Sequence, residues 1–243
     1  MKQSFNHNNT IRYLFSFFLV LCVSVVFSQE IKLVQESAEV KVDSLYREDQ
    51  FYFGFTYNTL QQKPTGVAQK KFSAGLSAGF LRDMPVNKKR TLAVAAGLGF
   101  TYNNYIENLA IKGTAEMPVY TVIDAKTVFN KNRFSQVLVD LPIEFRWRTS
   151  TYESYKFWRI YGGMKFSYVL HNKSLFTDDQ SKVVIINNKD FNTFLYGLYL
   201  SLGYNTVNVY GYYGLNSFFK TAEIDGKKIN MQSLNIGVVF YVL

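Results

Sequence analysis

From Phe51 onward, large apolar residues alternate with small or polar ones at a period of two, in eight separate runs. A period of two belongs to strands, because successive side chains of an extended chain point to opposite faces. The first run sets Phe51, Phe53, Phe55 and Tyr57 against Tyr52, Gly54, Thr56 and Asn58. The second sets Phe72, Leu76 and Phe80 against Ser73, Gly75, Ser77 and Gly79. The remaining runs cover residues 92–101, 137–148, 158–168, 193–204, 207–216 and 233–242.

The connections sort by parity. Those after the second, fourth and sixth runs are short, at 83–90, 149–155 and 205–206. Those after the first, third, fifth and seventh are mostly longer, at 60–70, 103–132, 171–190 and 220–230. An even strand number, spans of bilayer length and this alternation of turns and loops predict an all-β fold. It is an eight-stranded antiparallel up-and-down transmembrane β-barrel with its short turns in the periplasm.

A soluble sandwich or lipocalin-like barrel is the rival. It would turn the large faces inward, and eight strands enclose a space only just wide enough for side chains. Glycine, serine and tyrosine fit there better, so the greasy faces are expected to meet lipid. Trp147 and Trp158 flank one short turn on the apolar face, where an interfacial aromatic girdle belongs. A mean hydropathy of −0.06 argues against a helical membrane protein but not against a barrel, whose strands are half polar.

The segment before the runs reads as export machinery. Lys2 and Arg12 precede an apolar stretch at 13–27, and Val26-Phe27-Ser28 offers a cleavage point. That stretch is roughly 15 residues, against the ~20 a membrane-spanning helix needs. The expected organisation is a cleaved signal peptide (1–28), a polar periplasmic tail (29–50) and an outer-membrane barrel (51–243).

Cys22 is the only cysteine, and Leu21 before it is too large for a lipoprotein signal. The mature chain is then expected to hold no disulfide and no thiolate site. The 27 basic residues, less two in the signal, against 18 acids leave +7. Export makes nucleic acid an unsuitable partner, and anionic lipid head groups a better use of that charge.

Six charged residues fall on inward faces: Asp140, Glu144, Arg146 and Arg148 on the fourth run, and Arg159 and Lys165 on the fifth. Neighbouring strands can pair opposite charges across the ladder, and charges taken out of water must be paired. A lumen salt-bridge network is expected, with a lined pocket or narrow pore as its alternative.

Catalysis is not expected. The mature chain has one histidine, His171, with Ser174, Asp178 and Asp179 close behind it in a single loop. A nucleophile, base and orienting acid need separate supports to converge. Adjacent aspartates without a glycine turn or a third acid do not make a calcium loop. Asp225-Gly226 reads as a turn. No cofactor or metal is expected. Within the longest loops, the stretches 119–123 and 183–186 are expected to pair with each other or to extend the strands as hairpins, where exposed edges and apolar residues would offer a docking surface.

Phe51-Tyr52-Phe53-Gly54-Phe55, Leu138-Val139-Asp140-Leu141-Pro142 and Phe27-Ser28-Gln29 give the chain a resemblance to the PorT-like porin family of Bacteroidetes outer-membrane proteins. Asn235, Gly237, Phe240 and Val242 resemble the C-terminal signal read by the barrel-assembly machinery. The resemblance implies a small outer-membrane barrel, and its founding member implies type IX protein secretion. The expected function is a non-enzymatic scaffold or accessory subunit of an envelope complex, with secretion-complex subunits as partners. A narrow solute channel and a lipid-active enzyme are the alternatives.

Overall fold

The computed structural model describes residues 47–124, 126–149 and 157–242. The expected signal peptide, nearly all of the expected tail and most of the 149–155 turn lie outside the described residues. Among those described, the strands run β1 (Gln50–Gln61), β2 (Ala74–Pro85), β3 (Leu92–Tyr105), β4 (Leu109–Gly113), β5 (Pro118–Val122), β6 (Lys131–Arg148) and β7 (Trp158–Thr177). They continue with β8 (Lys182–Ile186), β9 (Phe194–Tyr204), β10 (Val207–Gly214), β11 (Glu223–Ile224), β12 (Lys227–Lys228) and β13 (Gln232–Val242).

Eight of these close into an antiparallel barrel in the order β6-β3-β2-β1-β13-β10-β9-β7, with β7 returning to β6. The seam between the first and last strands runs from Phe51↔Val242 to Gln61↔Gln232. The alternation sorts the faces as the pleat demands. Phe51 and Phe53 are more than half exposed, at 55% and 54%, while Tyr52, Thr56 and Asn58 are buried. The same outward display recurs at Leu98, Phe100, Leu198, Leu200, Val209 and Ile236. An apolar belt of this extent has no stable place in water and is what a bilayer covers.

Inside, glycines make room for flat-lying tyrosines. A Cβ at Gly79 would meet the Tyr52 ring at 2.6 Å, and one at Gly197 would meet the Tyr212 ring at 2.7 Å. Two hairpin turns use left-handed backbone. Asn205 has φ 55° in the two-residue β9–β10 turn, and Asp225-Gly226 has φ 51° and 71° between β11 and β12. Positive φ at both centres is the hairpin geometry that Asp-Gly favours.

Three features differ from the sequence expectation. The alternation of β2 continues through Asp83 to Pro85, so the turn is 86–91 rather than 83–90. β6 and β7 are 18 and 20 residues long and stand above the apolar belt. A bulge opposite Val137 and Leu138 gives β7 an extra residue, Leu170, which flips its phase: Val169 points inward below it and Asn172 above it. Of the two arrangements left open for the loop strands, hairpins are the one formed. β5 pairs β4, and β8 pairs the upper part of β7.

Candidate functional site in the barrel lumen

Alternation aims every second side chain of eight strands at one axis, and the lumen fills in two zones. The half nearer the short turns is built from charge. Asp83, buried at the end of β2, accepts from two arginines of β6. Arg148 grips it with both terminal nitrogens, Nη1 to Oδ1 and Nη2 to Oδ2, each 2.9 Å. Arg146 donates through Nη1 to Asp83 Oδ1 at 3.0 Å and through Nε to Glu144 Oε1 at 2.6 Å. The Tyr199 hydroxyl donates to the other Glu144 oxygen at 2.6 Å. The Arg146 guanidinium also lies 4.8 Å from the centre of the Tyr161 ring.

The chain just before β1 completes this zone. Glu48 is buried at 1% exposure, and its carbonyl accepts from Arg146 Nη1 at 3.1 Å. Its carboxylate lies 3.8 Å from Arg159 Nη2. The paired charges are tied through β2, β6, β7 and the entry to β1. Short bidentate arginine–carboxylate geometry is what makes such burial tolerable.

A second group sits nearer mid-barrel. Asp140 accepts from the Thr101 hydroxyl and, at 2.5 Å, from Ser167 Oγ. Lys165 Nζ lies 3.6 Å from Asp140 Oδ2 and 4.6 Å from the centre of the Tyr212 ring. The six charges singled out in the sequence thus fall into two groups: Asp140 with Lys165, and Glu144, Arg146, Arg148 and Arg159 nearer the short turns. Sequence reasoning missed Asp83 and Glu48, the acids that hold three of the arginines. The signal was present, since Asp83 keeps the phase of Gly75, Ser77 and Gly79, and Glu48 that of Gln50 and Tyr52.

Trp147 and Trp158 face outward beside the same turn, at 43% and 61% exposure. The Trp158 ring lies 5.5 Å from that of Tyr204, also outward and at the same height in the β7–β9 register.

The half nearer the long loops holds the main apolar cluster, with buried amides such as Asn132, Gln136 and Asn188 around it. Residues 217–219 dip from the β10–β13 connection into the mouth of the barrel. There Phe218 meets Tyr105 edge-on at 5.0 Å, and Phe219 meets Phe191 at 4.7 Å and Tyr120 at 5.4 Å. Phe134, Leu138, Leu195, Ile229 and Met231 pack into the same cluster. The rim of this cap holds Glu107, whose Oε2 accepts from Lys63 Nζ at 3.1 Å. Burial pushes that carboxyl above its ordinary range against the pull of the lysine. Between the two zones lie cavities of about 30 Å³, bounded by Tyr52, Glu144, Lys165 and Tyr241, and about 10 Å³, bounded by Asp140, Ser167 and Asn235. Each has room for a water or two.

The polar loop groups do not converge. His171 pairs with Val137 at the bulge, while Ser174 is buried on the inward face. Asp178 accepts from the main-chain nitrogens of Gln180 and Ser181, at 3.0 and 2.6 Å, and closes its own turn. The Ser181 hydroxyl, which donates to the same carboxylate at 2.9 Å, and then these main-chain donors hold its pKa below the usual carboxylate value. Asp179 accepts from Asn130 at 3.0 Å. Among the described residues, no three His, Cys, Asp or Glu side chains are grouped to hold a metal.

Residues 27–220 match a protein family described as "Outer membrane protein beta-barrel domain". No curated protein matches the chain. Among solved structures, similarity is found to Ail, the attachment invasion locus protein of Yersinia pestis. The identity is 10% over 82% of this chain and 100% of that one, with a TM-score of 0.38. A mutant porin of Rh. blastica is similar at 9% identity over 81% of this chain and 100% of that one, with a TM-score of 0.21.

Proposed function

The chain belongs to the outer-membrane β-barrel domain family and is an outer-membrane protein; from that premise we propose that it is a closed, non-enzymatic barrel serving as a scaffold or accessory subunit of an envelope complex. The observation that carries this reading is the filled lumen. Paired charges occupy one half and a phenylalanine cap the other, with cavities of about 30 and 10 Å³ between them. A solute larger than water finds no continuous path past such groups, which weighs against the channel reading. The resemblance to PorT-like proteins of Bacteroidetes makes the type IX secretion apparatus the complex to test first, and outer-membrane lipid and the barrel-assembly machinery the other expected partners.

The test has two parts. In a planar bilayer, the purified barrel is expected to give no unitary conductance; discrete single-channel steps would sink the closed-barrel reading. A tag placed at the exposed Asp225-Gly226 turn, outside the buried cap, permits mild extraction and mass spectrometry of what accompanies the barrel. Envelope-complex subunits are expected, and recovery of the barrel alone would overturn the scaffold role.

A further inference from the structure

Above the apolar belt, the two walls of the barrel end in different chemistry. On the β1–β13–β10 side the outward residues are uncharged and bonded to one another. The Gln62 amide donates to Gln232 Oε1 at 3.0 Å, and the Tyr213 hydroxyl donates to the same oxygen at 2.9 Å. On the β6–β7–β8 side the outward residues include four cations. Lys131 and Arg133 project from β6, Lys173 from β7 and Lys182 from β8, and all four are exposed.

The register gathers them on one face. Arg133 sits opposite Leu175, Lys173 lies between Ser135 and Ile186, and Thr177 lies between Lys131 and Lys182. The phase change at Leu170 is what turns Lys173 outward, in line with the other three.

None of the four is in an ion pair among the described residues. The acids nearest in sequence, Asp178 and Asp179, are at the tip of the β7–β8 turn and are engaged by that turn and by Asn130. Between the cations lie two exposed apolar side chains, Val184 at 41% and Ile186 at 50%. The face therefore offers uncompensated positive charge and grease together, directly above a belt that meets acyl chains. Its chemical complement is a phosphate group attached to a lipid. Arginine presents a planar fork to phosphate oxygens, and lysine a mobile point charge.

We propose that the outward face of β6–β7–β8 docks phosphate-bearing lipid head groups of the outer leaflet through Lys131, Arg133, Lys173 and Lys182. Val184 and Ile186 cover the first carbons of the chains. The proposal rests on the membrane placement of the barrel with its short turns in the periplasm and is independent of the scaffold role.

The test compares three barrels in vesicles of phosphatidylcholine doped with phosphatidylglycerol: wild type, K131Q/R133Q/K173Q/K182Q, and K227Q/K228Q on the far loop. Lipid retained after detergent extraction is read by native mass spectrometry. Wild type and the far-loop variant are expected to enrich phosphatidylglycerol. The four-site variant is expected to lose the enrichment by tenfold or more, since a basic residue at a lipid surface contributes roughly fivefold. Equal enrichment in wild type and the four-site variant overturns the proposal. Equal loss in the far-loop variant also overturns it, because net charge rather than this face would then govern binding. Arg133→Lys, which keeps the charge and disturbs no buried group, is expected to retain most of the enrichment; its loss of enrichment matching Arg133→Gln would overturn a role for charge at that position.

Discussion

The two ends of the barrel interior are closed by opposite means. At the short-turn end, Arg146 and Arg148 from β6 converge on Asp83 from β2, across a closed ladder that fixes each residue in register. At the long-loop end, Phe218 and Phe219 arrive on a connection rather than a strand and pack against Tyr105, Phe134 and Phe191. A buried charge network depends on every member, because removing one leaves the others desolvated and unpaired. An apolar cap loses contacts in proportion to what is cut away. The first end should therefore fail as a unit and the second by degrees.

The largest expected effect breaks the charged end. Asp83→Ala removes the shared acceptor of two buried arginines and is expected to cost about 3–5 kcal/mol. Urea unfolding followed by the fluorescence of Trp147 and Trp158 would measure it. Replacing Asp83, Glu144, Arg146 and Arg148 together by apolar residues of similar volume, so that no member of these pairs is left alone, is expected to recover most of the loss. If the quadruple variant is no more stable than Asp83→Ala, the network is not acting as a unit.

A smaller and more local effect is expected at the cap. Phe218→Ala should cost about 3 kcal/mol of packing. Because the cap is formed by connections, that loss should appear as faster hydrogen exchange at 215–231, with the barrel strands still protected. Uniform loss of protection in the strands would mean that the cap and the barrel unfold together.

The smallest effect tests a buried carboxylate at the cap rim, Glu107. Glu107 has a pKa raised above the usual 4.5 by burial. The stabilisation linked to its protonation is full below that value and is lost as pH rises through the folded-state pKa. Cap protection should therefore be greater at mildly acidic pH than at neutral pH, and Glu107→Gln should flatten the dependence. Protection that instead rises with pH in wild type would reverse the assigned direction.

How far the sequence could be read differs between the same two regions. The lumen-facing set on β6 and β7 was readable because side-chain alternation follows from chain geometry, and Asp140, Glu144, Arg146 and Arg148 share one phase. Asp83 escaped because a charged residue ahead of Pro85 and a run of lysines resembles the start of a turn. Glu48 escaped because the stretch before Phe51 is polar on both faces. Phe218, Phe219, Ile229 and Met231 carry no period, and an apolar residue in a connection does not say what it will touch. The phase flip at Leu170 leaves no mark in composition.

By itself the sequence determined which face of each strand meets lipid, that the sheet closes with eight strands, and which connections are turns. These follow from local geometry and from what can fit inside a narrow barrel. Only the tertiary structure decided that Asp83 lies between arginines 63 and 65 residues away, and that a distant connection stoppers the long-loop mouth. Those contacts depend on the stagger between strands that are not neighbours in sequence, and stagger is set by closure of the whole ladder, not by any one strand.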